Sequence, residues 1–244
     1  MGIGMSLSRR LIRILPPGLG YALAFEVRSF LGRLVARRLR LDAGRINYLD
    51  LGAGDVEGGE FVAVDFFTNP NTYGADLRYP LLIDDKVFNG IFTEHVLEHL
   101  TYADVSFVLS ECHRILKPGG RIRIIVPDLS IFAERYVNDD EAWFREWERV
   151  VLAPRGRVMN SHMEALSFVT QEYGHRSAWD LKTMETFLVR AGFTEVSKCS
   201  VRVGADPKLL RDRIDRDRSL VSLYVEARRP ESCSLGDSTP ETTP

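Results

Sequence analysis

From residue 44 onward the chain alternates short apolar or β-branched runs with stretches whose apolar residues recur at helical spacing. Residues 46–51 (INYLDL) and 60–64 (EFVAV) read as buried strands, the first closed by Gly52 and the second by Asp65. Residues 87–93 (VFNGIFT) form a third strand, followed by a helix over 101–116 that the Lys117-Pro118-Gly119-Gly120 run is expected to end. Residues 121–126 (RIRIIV) return to strand before Pro127. An amphipathic helix over 181–191 stops at Gly192, and 195–203 and 219–227 give two last strands. This alternation predicts an α/β domain with a largely parallel sheet. Residues 131–173 break it: Trp143, Phe144 and Trp147 sit on a helical pattern with no strand signal, which predicts a helical cap or insertion over 131–175.

Composition and charge divide the chain further. Of 244 residues, 45% are hydrophobic and 27% charged, which excludes collagen-like, coiled-coil and wholly disordered classes. Cys112, Cys199 and Cys233 lack CxxC spacing and fit a reducing compartment, so a cytoplasmic location is expected. Arg13 and Pro16-Pro17 interrupt the apolar core that a cleaved signal would need. The net charge of −2 conceals an asymmetry: residues 1–40 hold eight arginines against Glu26, or +7, which leaves −9 for the rest. Within it, Val27, Phe30, Leu31, Leu34, Val35 and Leu39 fall at helical spacing among Arg28, Arg33, Arg37, Arg38 and Arg40. This basic amphipathic helix is either packed on the domain with solvated arginines or a peripheral contact for a protein or for the inner membrane face. Nucleic acid is disfavoured because the stripe lacks interleaved aromatics and the remainder is acidic. The expected division is an extension over 1–40, a domain over 41–229 and a disordered Ser/Thr/Pro-rich tail over 230–244.

Candidate chemistry begins at Asp50-Leu51-Gly52-Ala53-Gly54, where two glycines at a strand end let the backbone turn sharply and approach a ligand. Eleven residues after Gly54, Asp65 ends the next strand, placed to accept hydrogen bonds from a ribose diol. The glycines at 52, 54, 58 and 59 depart from the GxGxxG spacing of dinucleotide sites, which weighs against a nicotinamide cofactor. Only five residues separate Gly54 from the second strand, too few for the usual crossover helix, so a tight crossover is implied.

These residues carry a resemblance. Leu49 to Gly54, Val62-Ala63-Val64-Asp65, Asp76-Leu77-Arg78, the run Glu94-His95-Val96-Leu97-Glu98-His99-Leu100, Arg114 to Gly120, and Ala191-Gly192-Phe193 together resemble class I S-adenosylmethionine-dependent methyltransferases. The nearest branch is the type 11 group with a shortened first helix. The resemblance implies a Rossmann-like, doubly wound, mostly parallel seven-stranded sheet with an antiparallel last strand. It implies S-adenosylmethionine as cofactor, with Asp50, Gly52, Ala53 and Gly54 at its methionine end, Asp65 at the ribose, Asp76 and Leu77 at the adenine, and Phe66 and Glu94 also among the cofactor-binding residues. A cleft holding Asp50, Asp65, Asp76 and Glu94 would favour a sulfonium over an anionic dinucleotide. Two departures stand out: Val56 replaces the third glycine of the loop, and Asn89 sits where an acid is usual.

The histidines leave alternatives open. His95, Glu98 and His99 spell HxxEH, which on a helix would present two zinc ligands and a general base. The glycine loop and the KPGG run have no place in that zinc reading, and the ordered motifs require no metal. In the methyltransferase reading His95 lies beside the transferring methyl and could take a proton from an acceptor hydroxyl, with His175 a second catalytic candidate. His162 and Asp128 are further candidates by position. The expected reaction is O-methylation of a small or glycan-like acceptor, and the alternative from a different class is a catalytically silent cofactor-binding scaffold. Trp143 and Trp147 could stack on a sugar face, although four-residue spacing on a helix more often serves core packing.

Overall fold

A computed structural model describes residues 18–54, 60–66 and 71–231. The departure at Val56, the glycines at 58 and 59, Cys233 and the tail beyond 231 lie outside the described residues. The sheet has seven strands in the order β3-β2-β1-β4-β5-β7-β6. They are β1 (Tyr48–Leu51), β2 (Phe61–Asp65), β3 (Thr72–Gly74), β4 (Phe88–Glu94), β5 (Leu116–Pro127), β6 (Thr194–Cys199) and β7 (Ser222–Arg228). The first five are parallel, and β7 runs antiparallel between β5 and β6. This is the Rossmann-like sheet with an antiparallel last strand that the resemblance implied. β1 and β2 pair in parallel with only nine residues between them, which confirms the tight crossover.

The apolar runs became strands because both faces of the central strands are covered. Leu49, Leu51, Phe88, Ile91, Ile122 and Ile124 are almost wholly buried. Helix α2 (Tyr102–Ile115) packs Val105, Val108, Leu109 and Cys112 into the same core and starts at a capping box between Thr101 and Asp104. Burial pushes the Cys112 thiol up to about 12, so it stays protonated and inert at neutral pH. The Lys117-Pro118-Gly119-Gly120 run is a correction: it lies inside β5 and carries the register shift against β4, between the pairs Phe88–Leu116 and Gly90–Arg121. The three-residue strand β3 was not foreseen, because a strand that short carries no periodicity of its own.

The insertion is helical as expected. Helices α3 (Leu129–Val137), α4 (Glu141–Trp147) and α5 (His162–Gln171) enclose a second core of Phe132, Phe144, Trp147, Val151, Leu152, Ala165 and Val169. Trp147 is 1% exposed and Trp143 packs edge-on against Phe132 and Phe144, so both serve the core and neither offers a sugar platform. Helix α6 (Leu181–Arg190) returns the chain to the main core through Met184 and Leu188.

The N-terminal helix is also corrected. Helix α1 spans Leu19–Val35, and residues 36–40 are extended, because Leu39 pairs with Ile83 and its N–H bonds Leu82 O at 2.8 Å. The stripe Val27, Phe30, Leu31, Leu34 and Val35 is exposed, while Ser29 on the opposite face is buried. Among the described residues no helix is long and apolar enough to cross a membrane.

The most consequential polar contact lies under the far end of the sheet. Arg123, on β5, has no exposed surface. Its guanidinium donates to Asp212 at 2.7 and 2.5 Å, to Glu226 of β7 at 2.9 Å, and to the carbonyls of Ser200 and Val203. Asp212 and Glu226 also accept the N–H groups of Arg202 and Ala205, so the triad folds residues 200–212 back onto the sheet. Two buried carboxylates would lose their only cation in Arg123→Ala. Urea unfolding should therefore show a loss of about 3–5 kcal/mol, and a loss below about 1 kcal/mol would contradict this account.

Candidate active site

The carboxyl ends of β1, β2 and β4 meet in one crevice, where ligands bind in open α/β sheets. Leaving β1, Gly52 has φ +80° and Gly54 φ +63°, and the N–H groups of Gly52 and Ala53 both donate to Val64 O. A Cβ on Gly52 would lie 2.1 Å from Val96 Cγ2, so only glycine lets β1 turn beneath the segment that leaves β4. Asp65, at the end of β2, accepts the Gly54 N–H at 2.9 Å, which ties the glycine turn to the second strand.

Asp50, Gly52, Ala53, Phe92, Glu94, Arg211 and Arg213 surround about 80 Å³ of open space. The two arginines were missed from sequence and change the electrostatics expected there. Arg211 lies 3.1 Å from Asp50 and 4.1 Å from the Phe61 ring centroid, while Glu94 is paired with Arg213 and Arg218 at 3.9 and 3.3 Å. The expected bare acidic field is thus matched by guanidinium groups that approach from 119 or more positions away in sequence. Burial pushes the Asp50 carboxyl above its ordinary value, opposed by Arg211 and Arg213. Arg211 faces Asp50 through Nη1, and this pair sets a guanidinium beside the glycine turn.

Asp76, expected to meet the adenine, accepts from Ser29 of α1 at 2.5 Å and from Arg78, which also grips Glu26. Burial drives the Asp76 carboxyl up, yet the Arg78 and Ser29 hydrogen bonds outweigh it and hold the group below the usual range. Phe25 stacks on Phe66 with centroids 4.2 Å apart, so α1 covers this end of the crevice. Leu77 packs against the main core. Asn89, in place of the usual acid, accepts from the Asn47 N–H and from Lys117 Nζ, both at 3.0 Å, and bridges strands away from the crevice.

The HxxEH residues do not form one helical face. β4 ends at Glu94, His95 takes φ +54°, and only Leu97–His99 makes a 3₁₀ turn. Glu98 Oε1 accepts from His95 Nδ1 at 3.0 Å, and the opposite nitrogen, Nε2, lies 3.1 Å from Ser222 Oγ. Both ring nitrogens of His95 are therefore engaged, and the inverted zincin arrangement is not formed. His175 lies edge-on to His99, with ring centroids 5.0 Å apart, and donates from Nδ1 to Val169 O at 2.7 Å. His162 is held in the cap by Glu141 and by stacking on Phe144. Asp128 is a fully buried N-cap of α3.

Residues 49–124 match the family described as Methyltransferase domain. That stretch holds the glycine turn, Asp65, Asp76, Glu94 and His95. The stretch is thus similar to a methyltransferase domain, in keeping with the resemblance to class I S-adenosylmethionine-dependent methyltransferases. Among curated proteins no sequence matches the chain. Solved structures resemble the chain at low identity. A Burkholderia thailandensis 1,6-didemethyltoxoflavin-N1-methyltransferase with bound S-adenosylhomocysteine is 15% identical, with 85% of this chain and 79% of that one covered and a TM-score of 0.46. A putative methyltransferase from Haloferax volcanii, solved with a methyltransferase activator, is 15% identical over 85% of this chain and 92% of that one, TM-score 0.43. Human N-acetylserotonin methyltransferase is 16% identical over 85% and 54%, TM-score 0.43.

The crevice fits S-adenosylmethionine, the cofactor that the resemblance implies. The glycine cradle admits close backbone approach, and the Arg211 guanidinium, paired with Asp50, brings positive charge to the end where a methionyl carboxylate would lie. Substituting Gly52→Ala forces a side chain into the left-handed region and against Val96. The strain alone is about 1–2 kcal/mol, so calorimetry should show S-adenosylhomocysteine binding roughly tenfold weaker or worse. Unchanged affinity would remove Gly52 from the cradle.

Proposed function

We propose that the chain transfers a methyl group to the hydroxyl oxygen of a small-molecule or glycan-like acceptor, with His95 as general base. The observation that carries this reading is the relay at the end of β4. Glu98 holds the Nδ1–H of His95, so Nε2 keeps a lone pair, and the group it meets is a hydroxyl, that of Ser222. An acceptor hydroxyl in place of Ser222 would find the same partner. Oxygen is favoured over nitrogen because an alcohol must lose a proton as its O–CH₃ bond forms. The backbone of His95, at φ +54°, is the kind of local strain retained where a side chain must be aimed.

S-adenosylmethionine, when bound, supplies a methyl group made electrophilic by its sulfonium. The chain's own residues do the rest. Asp65 holds the ribose hydroxyls, with Phe66 beside it. Asp76 receives the adenine next to Leu77. Asp50 and Glu94, with Gly52, Ala53 and Gly54, line the methionine end, and Arg211 faces the carboxylate. Bringing acceptor and methyl into line supplies much of the rate, and His95 removes the proton. His175 packs on His99 and takes no part in the relay.

The exposed stripe of α1 supports a contact surface. Its apolar residues stand beside Arg28 and Arg33, with Arg37, Arg38 and Arg40 just beyond, a pattern that suits an anionic lipid surface or an acidic partner. Binding to anionic vesicles that weakens with salt is expected, and equal binding to neutral vesicles would remove the electrostatic part.

For the reaction, S-adenosylhomocysteine at ~100 times its dissociation constant should stabilise the chain by about 2.7 kcal/mol and raise the unfolding midpoint by roughly 5–10 °C. Asp65→Ala should abolish the shift. His95→Gln should keep the shift and lower kcat by about 10²–10⁴ against a panel of hydroxyl acceptors. A His95→Gln variant with full turnover would leave methyl transfer standing without a base at this position.

A further inference from the structure

Beside this site Glu98 meets two further imidazoles that take no part in the relay. Glu98, His99 and His175 each offer a ligand atom, and the three atoms lie within 4.8 Å of one another. Glu98 is 1% exposed, and its Oε2 is buried with no hydrogen-bond partner, although Oε1 is occupied by His95. A buried carboxylate oxygen left unpaired is costly, and here it sits among two imidazoles. The local fold brings them there. Tyr173 and Gly174 both take positive φ, 58° and 78°, and turn the chain so that His175 meets His99. The loop is then fixed by the N–H groups of Arg176 and Ser177, both bonded to Glu98 O.

We propose that Glu98, His99 and His175 bind a zinc-like divalent transition-metal ion. Two imidazoles and one carboxylate form a donor set that zinc uses when a fourth position is left to water. His99 is exposed, which leaves such a position open to solvent. His175 already donates its Nδ1–H to Val169 O, the backbone bond that fixes a ligating tautomer and leaves Nε2 for the ion. Ligand atoms on one zinc at ~2.0–2.1 Å stand about 3.3–3.4 Å apart, so the three need close by no more than about 1.5 Å, within reach of the exposed His99 ring. His95 is outside the set, so this is not the HxxEH zincin pattern. The ion would staple the turn after β4 to the exit of the helical cap, on the carboxylate that also holds His95.

The test uses the tag-free full chain, stripped with a chelator and titrated with Zn²⁺ alone, so its readout is independent of methyl transfer. One zinc per chain is expected by elemental analysis after dialysis, with a raised unfolding midpoint, and Co²⁺ should give the visible bands of a low-coordinate site. His99→Ala should weaken zinc by more than about 100-fold, since losing even an outer partner of a ligand costs ~10–100-fold. His175→Ala should do the same, while His113→Ala and His162→Ala keep the metal. No stoichiometric uptake by the parent chain, or uptake by His99→Ala equal to it, would overturn the proposal.

Discussion

The buried guanidinium of Arg123 is the contact on which the active-site crevice depends. An arginine with no exposed surface persists only when its donors are met, and here two carboxylates and two carbonyls meet them. Its partner Asp212 is flanked by Arg211 and Arg213, the residues that enter the crevice. Fixing Asp212 beneath the sheet therefore aims both neighbours at Asp50 and Glu94. Gly204 belongs to the same arrangement: a Cβ there would lie against the Glu226 carboxylate that completes the triad.

The methyl-transfer side follows from backbone turns in which ordinary side chains are uncomfortable. β1 leaves through Gly52 and Gly54, and β4 leaves through His95, all at positive φ. Val96 packs directly over Gly52, so the two exits are set by one contact. That contact places the His95–Glu98 relay beside the glycine cradle, and the short crossover to β2 brings Asp65 to the same edge. Helix α1 closes the other end through Ser29 and Phe25, against Asp76 and Phe66.

Much of this was legible along the chain. The strand runs, the glycine turn, Asp65, the helical insertion and the core placement of Trp147 follow from periodicity and from residues whose conformational needs are local. The KPGG run was misjudged because proline and glycine usually end a helix, whereas here pairing with β4 carries the strand through them with a register shift. The end of α1 was misjudged for a similar reason, since the Leu39–Ile83 bridge overrides the apolar spacing.

By itself the sequence determined most of the strand and helix order, the glycine turn after β1, the aspartate that ends β2 and the overall fold class, because each rests on neighbours along the chain. Only the tertiary structure decided which charges meet. Arg211 reaches Asp50, Arg123 reaches Asp212, Ser222 reaches His95 and His175 reaches Glu98 and His99, across separations of 76 to 161 positions. No periodicity records such pairings, since a side chain's charge or hydroxyl carries no sign of the distant group that folding will bring to it.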